Sequence, residues 1–200
     1  METALLVRSN LITQTATLWL RAAEVKDDGV ALNKALQALN TAVLRGGSTS
    51  RDLALYGRAQ LRAGDRKGAV KSLSEAATKL PVEPETFREL ASACAASGQV
   101  RSARDALVRY TVLLAGAPPP PDVARQIGEW SLSLRDPGTA AKWLARAVDP
   151  ERPDAAVFAD LAEAELGAGR TDAARTAVDR GLAIFPSNPR LRSLRVRIGA

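Results

Sequence analysis

The side chains that could do chemistry in this chain of 200 residues are few, and their spacing works against them. There is no histidine, the side chain that most often serves as general base or metal ligand at neutral pH. Without it, the Ser-His and Cys-His arrangements that activate a nucleophile cannot be assembled. The one cysteine, Cys94, stands between Ala93 and Ala95 inside an apolar helical pattern, where a thiol acts as a small buried hydrophobe. Two carboxylates can share acid–base work, and Glu163 with Glu165 or Asp27 with Asp28 are such pairs. Residues one or two apart on a helix point in different directions, so both pairs read as solvated charge. Gly46-Gly47-Ser48 lacks the Gly-Lys-Ser/Thr ending of a phosphate loop, and Gly64-Asp65-Arg66-Lys67-Gly68 reads as a turn. The expectation is a chain that is not an enzyme and holds neither cofactor nor catalytic metal.

What the chain does contain is a period. Ala35, Ala69, Ala103, Ala140 and Ala174 are spaced by 34, 34, 37 and 34 residues, and Leu39, Leu73, Leu107, Leu144 and Val178 follow each by four. A fixed period of this length means one supersecondary unit stacked on itself, since a lone helical pair cannot bury its apolar face. Setting each alanine at position 20 divides the chain into units 16–49, 50–83, 84–117, 121–154 and 155–188. Residues 1–15 precede them as a helical extension or a partial repeat, and 189–200 follow as a capping helix. The surplus residues fall at Pro118 to Pro121, an inter-repeat spacer or a polyproline ligand for a partner.

Each unit reads as two helices. Position 8, where the pair must cross closely, holds only small residues: Ala23, Gly57, Ala91, Gly128 and Ala162. Apolar residues recur at helical spacing at position 4 (Trp19, Leu53, Phe87, Ala124, Phe158) and position 7 (Ala22, Tyr56, Leu90, Ile127, Leu161). Gly64, Gly98 and Gly169 fall between the helices of their units, where positive φ ends a helix cheaply, and Asp136-Pro137-Gly138 makes the turn of the fourth. In the first unit the turn is Lys26-Asp27-Asp28-Gly29, which lengthens the second helix to about Val30–Arg45.

Charge excludes some partners. The formal net charge of +6 resembles that of a nucleic-acid binder, but Arg190, Arg192, Arg195 and Arg197 carry much of it and the body is nearly balanced. A basic stripe with stacking aromatics is absent, so no nucleic acid is expected. The C-terminal arginines surround Leu191, Leu194 and Ile198, as on a polar-faced cap or a basic contact for anionic lipid or a partner. No segment approaches the roughly 20 apolar residues of a membrane helix, and Thr13, Gln14, Thr15 and Thr17 interrupt any signal-like stretch. The default location is cytoplasmic, or periplasmic if the sequence is a fragment of an exported protein.

These residues resemble the tetratricopeptide repeat family, whose 34-residue helix-turn-helix follows W-x-x-L-G, then A-x-x-x-F-x-x-A, then P. The fifth unit shows it best, through Phe158, Leu161, Ala162, Gly169, Ala174, Val178, Gly181 and Pro186. Departures occur where the family has tyrosine at position 11, here Lys26, Gln60, Cys94, Ser131 and Glu165, and where Gly47, Ala115 and Arg152 replace the closing proline. The resemblance implies an all-α, right-handed superhelical solenoid whose first helices line a groove that binds a protein or peptide. It further implies inward-facing positions 2, 5, 9 and 12, which brings forward Arg51, Arg58, Arg88, Arg125 and Glu129, with Arg62 flanking. The groove is expected to be basic near the second and third units, more acidic toward the far end, and suited to an acidic or C-terminal peptide; the alternative is that Arg51, Arg58 and Arg88 pair with Asp52, Glu85 and Glu89 and only solvate the face. The carboxylate clamp of chaperone-binding members is not matched, since Leu20 and Glu24 occupy its first positions. The leading expectation is a noncatalytic protein-interaction scaffold; the alternative is a structural or docking repeat region of a larger bacterial-type envelope or polysaccharide-export assembly.

Overall fold

The computed structural model describes residues 2–44 and 48–199, which form eleven helices and, among these residues, no strand. The sequence-expected helix end at Arg45 and the glycines Gly46 and Gly47 lie outside the described residues. No described helix is long and apolar enough to cross a membrane. The chain divides into two compact units, Met1–Tyr110 and Thr111–Ala200.

The first unit contains α1 (Glu2–Lys26), α2 (Gly29–Leu44), α3 (Ser50–Arg62), α4 (Arg66–Ala76), α5 (Pro84–Ala96) and most of α6 (Val100–Val112). Helices α1 to α5 pack in chain order, and α3 also touches both α1 and α5. The second unit contains α7 (Pro121–Ser133), α8 (Pro137–Ala147), α9 (Ala155–Gly167), α10 (Thr171–Ile184) and α11 (Pro189–Gly199). Its helices also pack in chain order, and α9 additionally meets α7 and α11. This arrangement brings the first helices of successive pairs side by side.

Small residues make the packing possible. All five repeated alanines have no exposed surface, and Ala23, Ala91 and Ala162 are buried as fully. A Cβ added at Gly57 would stand 2.6 Å from Leu73 Cγ, and one at Gly128 would stand 2.5 Å from Leu144 Cγ. These distances are far below van der Waals contact, so the α3–α4 and α7–α8 crossings exist in this form only because the glycines lack side chains.

Turns repeat the same hydrogen bonds. The amides of Asp65, Gln99, Asp136 and Arg170 donate to the carbonyls of Gln60, Cys94, Ser131 and Glu165, five residues back, the bond that closes a Schellman motif. The acceptors are the position 11 residues at which the sequence departs from the family pattern. Their side chains fill the site differently: Ser131 Oγ donates to Ile127 O, Gln60 accepts from Ser72 Oγ, and Glu165 pairs with Arg170. The motif needs one residue of positive φ, supplied by Gly64, Gly98 and Gly169.

In the fourth pair that residue is Arg135, at φ 58°, and the turn differs from the one expected from sequence. Asp136 is the N-cap of α8, accepting from Thr139 N, while Pro137 and Gly138 already lie in the first turn of the helix. Proline suits that position because its missing N–H would have no intrahelical partner. The left-handed conformation costs a side-chain-bearing residue about 1 to 2 kcal/mol. Arg135→Gly should therefore raise stability by about 1 kcal/mol, read as a higher urea midpoint with unchanged slope; a lower midpoint would show that the arginine side chain outweighs its backbone strain.

Candidate functional site

Helices α1, α3 and α5 leave a cleft of about 360 Å³ between them. Its apolar surface comes from Leu20, Ala54 and Leu55, and its charges are Arg21 and Glu24 from α1, Arg51 and Arg58 from α3, and Glu85 and Glu89 from α5, with Glu83 just before that helix. The cleft is thus zwitterionic, and the basic surface expected from the sequence is not what these helices build. Arg58 lies 2.5 Å from Glu24 and 3.6 Å from Glu89. Glu24 and Arg58 both occupy position 9 of their units, so stacking aligns them across the α1–α3 seam. That alignment could have been read from the repeat register. Glu89 stands at position 6, outside the positions read as inward, and enters the sequence reading only as a partner that could neutralise the groove arginines.

Burial acts on Glu89 most strongly and pushes its carboxyl up to about 7. Arg58 pulls it down, and Glu85, Glu24 and Glu83 add to the rise. A half-buried carboxylate with one distant cation and three like charges favours the neutral form, as desolvation and repulsion both require.

Other sequence-derived candidates have different surroundings. Arg51 lines the cleft and a second hollow of about 560 Å³ beside Lys79, Pro81 and Glu83. Arg62 donates to Ala23 O at 2.9 Å and reaches Asp27 at 3.3 Å, tying the end of α3 to the end of α1. Arg88 lies 3.9 Å from Glu85 and 5.4 Å from the centre of the Tyr110 ring. Asp52 turns away from all of them: it closes a capping box with Thr49 and accepts from Thr13 Oγ1 at 2.6 Å.

Within the second unit, Arg125 joins Glu129 on its own helix and Asp154 at the start of α9, both at 2.6 Å. Asp154 accepts from Ala156 N with its other oxygen, so one carboxylate caps α9 and anchors α7. The hydrogen bond to Glu129 holds the Arg125 guanidinium more firmly protonated than usual, against the effect of burial. Arg190 engages Asp160 at 2.6 Å and Glu163 at 2.8 Å, and Arg192 donates to Pro186 O. Beneath them Leu191, Leu194 and Ile198 are buried, as on a helix that covers an apolar face.

The catalytic candidates are accounted for by structure. Cys94 is 2% exposed and burial pushes its thiol up, away from the nucleophilic thiolate. Glu163 turns to Arg190 and Glu165 to Arg170, while Asp27 meets Arg62 and Asp28 accepts from Val30 N and Ala31 N at the start of α2. Among the described residues no group of His, Cys, Asp or Glu has the arrangement of a metal site.

Residues 131–198 match the family model of the tetratricopeptide repeat. Among solved structures, MamA shares the fold at a TM-score of 0.64, with 18% identity over 85% of this chain and 91% of its own. YrrB, described as a TPR protein with an unusual peptide-binding site, gives a TM-score of 0.63 with 16% identity over 89% of this chain and 97% of its own. PilW, a type IV pilus biogenesis factor, gives 0.53 with 17% identity over 93% and 97% of the two chains. At these identities the likeness is one of fold. No curated protein sequence matches the chain. Residues 131–198 thus carry the tetratricopeptide repeat, and the chain as a whole shares the helical-repeat fold of these solved structures.

Proposed function

We propose that the chain is a noncatalytic scaffold that holds an extended segment of a protein partner in the α1–α3–α5 cleft. One observation carries this reading: three successive first helices, each packed on its far side, leave an open cleft with an apolar floor and a charged rim. A surface of that kind gives a peptide apolar anchors for affinity and charges for register. Buried or internally paired side chains elsewhere supply stability, and tetratricopeptide repeats as a class mediate protein–protein interaction.

The reading predicts where a partner touches. A photo-crosslinking residue at Ala54, on the cleft floor, should capture partner polypeptide in the native host, whereas one at exposed Lys71 on α4 should not. Adducts at Lys71 with none at Ala54 would move the binding surface to the second helices.

A further inference from the structure

The cleft has an unequal ion-pair count. Arg58 is its only arginine in an ion pair among the described residues, and two carboxylates share it, Glu24 at 2.5 Å and Glu89 at 3.6 Å. One cation satisfies the nearer carboxylate and leaves the farther underbalanced. Glu89 also faces Glu83 and Glu85 from its own segment, so the cleft is lined by four glutamates and three arginines, Arg21 and Arg51 being the other two. Below the rim, Leu20, Ala54 and Leu55 offer an apolar floor. An aliphatic stem ending in a cation matches both features, since lysine and arginine lay their methylenes on apolar surface while the head seeks a carboxylate.

We propose that the cleft seats a lysine or arginine side chain of an extended partner segment against Glu89, its stem on Leu55 and Ala54. This rests on the reading of the cleft as a peptide site and specifies its occupant. It also reverses the charge expected from sequence. At Glu89 an acidic group would meet Glu24, Glu83 and Glu85 while Arg58 is already engaged, a repulsive arrangement at that end of the cleft, whereas Arg21 and Arg51 leave room for an acidic group elsewhere on the segment.

The ionised form of Glu89 is the one that receives a cation, so binding and titration are linked. With the carboxyl at about 7, the ionised fraction falls from nearly all at pH 8 to a few per cent at pH 5.5, and affinity should drop about 30-fold with it. The charged groups that bear on this titration are Arg58 and Arg51 of α3, Arg21 and Glu24 of α1, and Glu83 and Glu85 beside Glu89.

The test is a random-peptide display selection on the full chain at pH 8, followed by fluorescence anisotropy of a selected peptide against wild type, Glu89→Gln and Ala54→Trp. The expected result is enrichment of lysine or arginine, a tens-fold loss with Glu89→Gln, and a pH dependence present in wild type and absent from that variant. Selected peptides that depend on acidic residues or a free C-terminal carboxylate in place of lysine or arginine, or that bind Glu89→Gln as tightly as wild type, would overturn the proposal. If Ala54→Trp still abolishes their binding, the cleft stands as a peptide site with a different occupant. Peptides bound equally by Ala54→Trp, or no selected peptide at all, would remove both.

Discussion

Gly128→Ala and Leu144→Ala should each destabilise the chain, and the two together should cost less than their sum. A Cβ on Gly128 would stand 2.5 Å from Leu144 Cγ, 2.9 Å from Cδ2 and 3.3 Å from the Leu144 amide nitrogen. Leu144 is fully buried, so it has no open rotamer into which to retreat. Overpacking of this kind costs about 1 to 3 kcal/mol. Removing the leucine side chain instead leaves a cavity, at about 2 to 5 kcal/mol. In the double variant the new methyl enters space the leucine vacated, which should return about 1 to 2 kcal/mol as coupling. Urea unfolding of the four proteins closes the cycle. Strict additivity would mean that the helices separate freely at this crossing, and the small residue at position 8 would then lose its structural explanation.

Stability of Glu89→Gln should part from that of the wild type as pH rises. The folded protein raises this carboxyl from about 4.5 to about 7, so between those values the folded state binds the proton more tightly than the unfolded chain. The stabilisation this represents is fully present below about pH 4.5 and is lost as pH rises through 7. Glutamine cannot ionise, keeps an oxygen toward Arg58, and escapes that loss. One pKa unit corresponds to about 1.36 kcal/mol. With about a quarter of the Glu89 side chain still open to water, a gap of order 2 kcal/mol in favour of the variant is expected at pH 8 and almost none near pH 4.5. Denaturant midpoints at four pH values would show it. A gap that is constant with pH, or that favours the wild type at pH 8, would mean that Arg58 balances Glu89 completely and that no unmet charge exists in the cleft. A side chain that lowers stability where a hydrogen-bonding isostere would not is characteristic of a site kept for binding.

Both predictions concern contacts of one repeated architecture, yet they were unequally visible beforehand. The Gly128 crossing followed from the register: position 8 holds only alanine or glycine in all five units, and the reason is local, because the two helices of one pair meet there. The glycine turns were legible on the same ground, since positive φ is a property of a single backbone position. Arg135 was not, because a neighbouring Asp-Pro-Gly suggested the turn more strongly than an arginine could. Tertiary packing holds the fourth pair in the same Schellman geometry as the others and makes the arginine accept it.

Helix content, repeat length, the small residues at the crossings and the buried alanine–leucine stripe were determined by the sequence alone, because each depends on contacts within one helical pair and recurs with its period. The charge of the cleft was decided by the tertiary structure. From sequence Arg51, Arg58 and Arg88 read either as one basic surface or as partners of Asp52, Glu85 and Glu89, and the choice stayed open because long side chains reach across helix seams to whatever stands opposite. Glu24 and Glu89, far from Arg58 in sequence, arrive within ion-pair distance only once α1, α3 and α5 lie side by side. Coulomb interactions depend on those final separations and on the water displaced around them, and neither is a local property of the chain.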